Sequence, residues 1–167
     1  MESKANPVGF VAAVIARVKT DTAFRAVMSR ADNPALESSA WEYLIPYCNI
    51  ENDLERIPFA MVGAAIARIR PENDGNAGIG TAFRSICHND EDRERESARF
   101  RRLIACDSSL ELCPVLRPVI QYLASNGASV NFTQQLKDLL YWNQRTKIRW
   151  TTHFYDRNTQ ENEEANA

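Results

Sequence analysis

The chain has 167 residues, of which 44% are hydrophobic and 25% are charged, and its formal net charge at pH 7 is −2. This length and composition fit a soluble globular protein of one domain or of two small ones. No run reaches the roughly 20 apolar residues that a membrane span needs, and no cleavage site follows the N-terminal apolar stretch, so we expect a cytoplasmic protein without a signal peptide.

Apolar residues recur at helical spacing through almost all of the chain, and no segment is a convincing strand. Pro7 opens a first helix, and the Thr-Asp pair at 20–21 caps a second one that runs through Met28. The Asn-Pro pair at 33–34 starts a third helix, and Pro46 closes it. These signals predict three N-terminal helices.

The segment 53–69 is the most hydrophobic part of the chain, and its apolar residues surround the whole helix. A helix of this kind is usually the buried centre of a bundle. Pro71 ends it, and the loop PENDGNAGIG at 71–80 follows. We treat this glycine- and asparagine-rich loop as a candidate boundary between two small helical halves, which limited proteolysis would test.

The second part of the chain predicts further helices over 81–87, 90–105, 108–125, 131–142 and 145–155. An Asn-Gly pair at 126–127 is a typical C-terminal stop signal. The predicted fold class is therefore all-α, a compact helical bundle over residues 1–155. The acidic segment DRNTQENEEANA at 156–167 has nothing to bury, and we expect it to be disordered.

No motif in the sequence predicts catalysis, a metal site or a cofactor. GNAGIG lacks the preceding strand and the following lysine of a phosphate-binding loop, so we interpret it as a flexible loop. Cys87 and His88 are adjacent and would point about 100° apart on a helix, which separates a nucleophile from its base. Without a C-x-x-C pair, we expect reduced, buried thiols. These are Cys48, Cys87, Cys106 and Cys113.

The helix predicted over 90–105 begins with acidic residues and ends with arginines. A carboxylate metal site is one interpretation, but this order also complements the helix dipole. Glu91 with Arg95, and Glu96 with Arg99, have the spacing of helical ion pairs. We expect the acidic half to be a solvated face, whereas the arginines at its end are binding candidates.

Basic residues are concentrated between positions 99 and 155, where 8 basic side chains accompany 3 acidic ones. Residues 1–98 carry 11 basic and 15 acidic side chains. The last twelve residues carry 1 basic and 4 acidic side chains. Such an asymmetry indicates a polyanionic partner more strongly than the net charge does.

The stretch LYWNQRTKIRW places cations beside two tryptophans. On one continuous helix, Arg149 would lie about 40° and Trp142 about 60° from Arg145, with Lys147 on the other side at about 200°. We expect Trp142 and Tyr141 to belong to the core, and base stacking by Trp142 is the minor alternative. Only two acids follow residue 108 in this region, so we expect unpaired guanidinium groups that suit phosphate oxygens.

Several segments together resemble the CasB family, the small subunit of the type I-E CRISPR surveillance complex, Cascade. In the C-terminal half these segments are GIGTAFRSI, RFRRLIACD, VLRPVIQYLAS and NFTQQLKDLLYWNQRTKIRWTTHFY. Upstream, FRAVMSRADNPA followed by AWEYLIPY is similar to the N-terminal pattern of the family. The resemblance covers about residues 10–155, and it rests on order, spacing and size, since no single motif is diagnostic.

The resemblance implies an all-helical, non-catalytic protein that occurs as two copies in Cascade. Its implied partners are the CRISPR RNA, the displaced single strand of the target DNA, other Cascade subunits and the second copy of itself. Basic residues of the family stabilise the displaced strand of the R-loop, a backbone contact that does not depend on sequence. The alternatives are an all-helical protein–protein adaptor without nucleic-acid contact and, with least support, a nuclease.

Six basic residues match family positions, namely Arg30, Arg84, Arg99, Arg117, Arg145 and Lys147. We add Arg25, Arg102 and Arg149 on charge and spacing alone. Ala105 and Pro118 stand where some relatives have further basic residues, and the tail is more acidic than the resemblance leads us to expect. These nine residues form the candidate nucleic-acid-binding set.

Overall fold

A computed structural model describes residues 5–156, so the predicted disordered tail lies outside the described residues except for its first position. Nine α-helices and one short 3-10 helix account for most of this range, which confirms the all-α fold. The helices are α1 (Pro7–Thr20), α2 (Thr22–Met28), α3 (Trp41–Leu44), α4 (Asp53–Ile69), α5 (Ile79–Ser85), α6 (Asp90–Ile104), α7 (Ser109–Ser125), α8 (Phe132–Leu140) and α9 (Gln144–Tyr155).

Short polar side chains start most of these helices. Each accepts a hydrogen bond from a backbone N–H of the first turn, a group that otherwise has no partner inside the helix. These N-cap residues are Asn6, Asp21, Asn52, Asn89, Ser108, Asn131 and Asn143. Because such caps are local signals, the sequence predicts most helix starts to within a residue or two.

The predicted third helix is wrong as a continuous element. A 3-10 helix over Glu37–Ala40 leads into α3, which is a single turn. The residues at the starts of both pieces, Leu36 and Ala40, form no side-chain capping bond. With proline on each side and no cap, a longer helix has little to stabilise it here.

Helix α4 is the buried centre of the structure, as its composition predicts. Every residue from 58 to 67 is buried, and α4 packs against α1, α2, α7 and α8. Gly63 of α4 lies close to Met28 and Phe10, so the first two helices approach its backbone directly. The remaining helices therefore surround α4 and place their polar sides outward.

The segment 71–80 is attached to the start of α8. The Asp74 carboxylate accepts hydrogen bonds from the backbone N–H of Phe132 at 2.6 Å and of Thr133 at 3.2 Å. An isolated parallel bridge joins Ala77 to Val130, with backbone bonds on either side. The division into two helical halves at this loop stays a prediction.

All four cysteines are buried, which confirms the burial that we expected of these thiols. Burial raises the pKa of Cys113 to about 12 and also raises the pKa of Cys87 and Cys106. Within residues 5–156, no helix is long and apolar enough to cross a membrane.

Helices α8 and α9 are separate, so the angles expected for one continuous helix do not apply between them. Tyr141 ends α8, and Asn143 caps α9, so Trp142 lies between them. The predicted angle of Trp142 relative to Arg145 is therefore wrong. The spacing of Arg145 and Arg149 remains valid because both belong to α9.

We predict that Gly80→Ala destabilises the protein because α5 and α9 meet at this residue. A methyl group there would overlap the carbonyl oxygen of Trp150 and come within 2.9 Å of the His153 Cβ. We expect the free energy of unfolding to fall by about 1–3 kcal/mol, as for other overpacked sites. Urea denaturation followed by circular dichroism measures this change.

Gly78→Ala is the matched control because a methyl group at position 78 meets no atom within 4 Å. Equal unfolding midpoints for the two variants would show that α5 and α9 are not closely packed at Gly80.

Candidate nucleic-acid interface

The predicted basic residues lie on several elements rather than in one row. Arg25 is on α2, Arg84 on α5, Arg99 and Arg102 on α6, Arg117 on α7, and Arg145, Lys147 and Arg149 on α9, while Arg30 follows α2. Arg30, Arg102, Arg117 and Arg145 are exposed, and the others are partly buried. The contacts of these side chains show which of them are held in place.

Two arginines meet on one buried carboxylate, that of Asp32, and we name these three residues the Asp32 cluster. Arg68 donates from Nη1 to Oδ1 at 3.1 Å and from Nη2 to Oδ2 at 2.8 Å. Arg117 brings Nε to 2.9 Å from Oδ2. The Asp32 side chain is only 6% exposed, whereas that of Arg117 is 49% exposed. The cluster thus has one positive charge in excess, presented by a guanidinium group with a fixed position.

Two grooves open beside the Asp32 cluster, and Arg117 lines both of them. One groove of about 510 Å³ also contains Arg56 and Glu37, and the other, of about 590 Å³, also contains Arg68 and Gln121. An elongated anionic ligand that follows either groove would pass the exposed side of Arg117.

On α9, Arg145 and Arg149 differ in their surroundings. The guanidinium group of Arg149 contacts the buried carboxylate of Asp138, which also accepts hydrogen bonds from Trp150 Nε1 at 2.8 Å and from Gln134 Nε2 at 2.9 Å. The expectation of an unpaired guanidinium group is therefore wrong for Arg149. Arg145 is exposed on the same side of the helix and is the more accessible cation.

The two tryptophans beside these cations have structural contacts. Trp150 is 1% exposed, and its ring centroid lies 4.9 Å from that of Trp142. Trp142 donates from Nε1 to the Cys106 carbonyl at 2.9 Å, and Lys147 lies 5.6 Å from its ring centroid. These contacts favour packing over base stacking for Trp142. The prediction that Tyr141 belongs to the core is wrong, because Tyr141 is 67% exposed.

Arg84 connects α5 to the end of α9. Its Nη1 donates to the backbone carbonyl of His153 at 2.9 Å. Because α5 and α9 also pack along Gly80, Arg84 has a defined position at the C-terminal end of α9. The structure therefore brings Arg84 to the helix that carries Arg145 and Arg149, although α5 and α9 are far apart in sequence.

On α6, Glu96 differs from the prediction of a solvated acidic face, because its side chain is buried. This residue is fully buried and accepts a hydrogen bond from the Tyr122 hydroxyl at 2.6 Å, which raises the pKa of Tyr122. Arg99 lies over the Tyr122 ring at 3.9 Å, with its Nε 3.4 Å from the Glu96 carboxylate. Arg95 pairs with Asp92 rather than with the predicted Glu91. Arg99 is thus fixed, while Arg102 is exposed.

The sequence alone does not indicate that Arg68, Asp32 and Asp138 belong to the site. Arg68 and Asp32 are 36 residues apart, and Asp138 and Arg149 belong to different helices. No local spacing in the sequence relates such pairs. Only the excess of basic over acidic residues in the C-terminal part indicates that its few acids pair with arginines. No group of three or more histidines, cysteines and acids in the described part of the chain could hold a metal ion.

Comparisons with known proteins agree with this architecture. The model of the family described as CRISPR-associated protein Cse2 matches residues 24–155. The crystal structure of CasB from Thermus thermophilus has a TM-score of 0.68 and 20% sequence identity, and the match covers 90% of this chain and 98% of that chain. At this identity the likeness concerns the fold alone. The comparison with curated proteins gives no match.

We predict that Asp32→Asn destabilises the protein because it leaves Arg68 and Arg117 without their shared anion. Both arginines are partly exposed, so water offsets some of the loss, and we expect a decrease in unfolding free energy of about 1–3 kcal/mol. Urea denaturation measures it, with Asp53→Asn as the control.

Asp53 also pairs with an arginine, Arg56, but its side chain is 58% exposed, so its substitution should change stability by less than about 0.5 kcal/mol. Similar effects of the two substitutions would mean that the Asp32 cluster has no special role in stability.

Proposed function

The chain belongs to the family of CRISPR-associated Cse2 proteins, which are subunits of CRISPR Cascade complexes. From this premise we propose that it is a non-catalytic structural subunit of a type I-E surveillance complex. In this role its basic residues bind the nucleic-acid backbone and stabilise the displaced DNA strand of the R-loop. Its partners are the CRISPR RNA, the target DNA, other subunits and a second copy of itself.

The observation that supports this proposal most strongly is the Asp32 cluster. Arg117 is anchored through Nε, and its terminal nitrogens form no hydrogen bond with another of the described residues. These nitrogens are therefore available to phosphate oxygens, which a guanidinium group binds in a bidentate manner. Because its position is already fixed, Arg117 would lose little conformational freedom on binding.

The α9 surface supports the same role in a different way. Arg145 is exposed near the start of α9, Arg149 on the same helix is held by Asp138, and Arg84 is held at the end of the helix by the His153 carbonyl. Cations distributed along one helix suit a backbone with regularly spaced phosphates. We assign Arg25, Arg30, Arg99, Arg102 and Lys147 to the wider basic surface.

Such contacts carry no sequence information, because phosphate groups are the same at every nucleotide. A surveillance complex reads its target through pairing with the guide RNA. A subunit that holds the displaced strand must therefore accept any sequence, and arginines aimed at the backbone meet that requirement.

The adaptor alternative is favoured by a separate observation on α9. Ile148 and Tyr155 are 57% and 40% exposed and line a shallow groove of about 380 Å³ together with Ile104. Exposed apolar residues on one helix are typical of a protein contact. Lys147 of the candidate set also lines this groove, whereas Arg149 lies on a different side of α9. A protein contact here would cover Lys147 and leave Arg149 accessible.

We predict that Arg117→Gln and Arg145→Glu each weaken retention of the displaced strand by about fivefold for each copy of the subunit, since one exposed ionic contact contributes on the order of 1 kcal/mol. Arg117→Gln leaves Arg68 on Asp32, so the fold should persist. Electrophoretic mobility shifts of reconstituted complexes on R-loop substrates of two unrelated sequences measure the effect.

Lys137→Glu is the control because this exposed lysine on α8 is outside the candidate set. It should leave retention unchanged. Full retention by both arginine variants, or a loss confined to one DNA sequence, would contradict a backbone-binding role.

A further inference from the structure

The groove of about 510 Å³ beside Arg117 has an apolar floor. Its floor comes from α4, from the turn after α2 and from α7, and includes Ala31, Ile57, Ala60, Met61 and Cys113. Four charged residues, Asp32, Glu37, Arg56 and Arg117, line it as well. A volume of this size, with an apolar floor and a few polar groups, is typical of sites that take a small planar molecule.

Arg56 and Glu37 lie on one side of this groove, and Glu37 offers it an acceptor. Arg56 uses Nη1 for the Ile50 carbonyl at 2.7 Å and Nη2 for Asp53 at 2.7 Å. Its Nε is buried and has no hydrogen-bond partner among the described residues. The Glu37 carboxylate is 3.9 Å away, too far for a hydrogen bond. Because Nε is closed to solvent and both terminal nitrogens already have partners, the accessible polar group on this side of the groove is the Glu37 carboxylate, whose side chain is 23% exposed.

A nucleobase edge presents the complementary group. Each base has at least one N–H donor on its Watson–Crick edge, and this donor would reach the Glu37 carboxylate. All four bases have such an edge, so the groove would accept any of them. The apolar floor would contact the face of the ring.

We propose that this groove binds a single unstacked nucleotide of the displaced strand, with its base over Met61 and Ile57 and its phosphate on Arg117. The proposal rests on the proposed function, because Arg117 is the residue that would hold the backbone at the mouth of the groove. The displaced strand is already unpaired, so turning one base outward costs only its stacking. Base contacts of this kind do not require sequence preference.

The experiment uses R-loops formed by the reconstituted complex, with 2-aminopurine at one position of the displaced strand at a time. The guide RNA fixes the register of the strand, so the same nucleotide faces the groove in every complex. Because 2-aminopurine fluoresces more strongly when it is unstacked, we expect one position for each copy of the subunit to be brighter than its neighbours.

Pro114→Trp is the blocking variant. Pro114 is exposed and lines the groove, and a tryptophan there would fill the groove while restoring the backbone N–H that proline lacks. We expect the bright position to become as dim as its neighbours and strand affinity to fall about fivefold, as for the loss of one stacked base. Leu110→Trp, one turn earlier on α7 and outside this groove, should change neither.

Uniform fluorescence along the strand in the unmodified complex would overturn the proposal, as would a bright position that persists in the Pro114→Trp complex. If either result accompanies weaker retention by Arg117→Gln, backbone binding stands and only the base pocket fails. If Arg117→Gln and Arg145→Glu also have no effect, both fail. If Pro114→Trp blocks incorporation of the subunit, on size-exclusion chromatography, the groove binds a partner protein rather than a nucleotide.

Discussion

A carboxylate that is buried needs a cation, and this constraint determines the positions of several arginines in the molecule. Asp32, Glu96 and Asp138 have side chains that are at most 6% exposed. Each contacts an arginine, respectively Arg117, Arg99 and Arg149, whose own side chain is 38–49% exposed. Since an unpaired buried charge is very costly, these contacts hold the arginines in place. One side of each guanidinium group is fixed by the protein, and the other faces solvent.

Burial of α4 explains how these pairs arise. Because α4 is apolar on all sides, the other helices surround it and bring distant parts of the chain together. Arg68, near the end of α4, reaches Asp32 in the turn after α2, and α7 packs on α4 and brings Arg117 to the same carboxylate. The basic surface is therefore a consequence of the core, and its arginines require no dedicated loop.

Local signals in the sequence were sufficient for most of the fold. N-cap residues such as Asn131 and the uniformly apolar segment of α4 depend on neighbours within one or two turns, so their effects can be predicted. The prediction of a continuous third helix is wrong because the flanking prolines and the uncapped starts shorten the helical segments. The periodic pattern of apolar residues does not show this. The prediction that Tyr141 belongs to the core is wrong because α8 ends at this residue and α9 starts as a separate helix. The pairing of Arg149 with Asp138 depends on how α8 and α9 pack, and no spacing rule gives that.

The salt dependence of strand retention tests the central claim most directly. Each phosphate contact on a single strand contributes about −0.7 to the slope of log affinity against log salt concentration. If fixed arginines bind phosphates, a complex in which Arg117 and Arg145 are neutral in both copies of the subunit loses four contacts and should show a slope shallower by about 2.8 than the unmodified complex. An unchanged slope, with the subunit still incorporated, would mean that these arginines do not contact the backbone and that the protein acts as an adaptor.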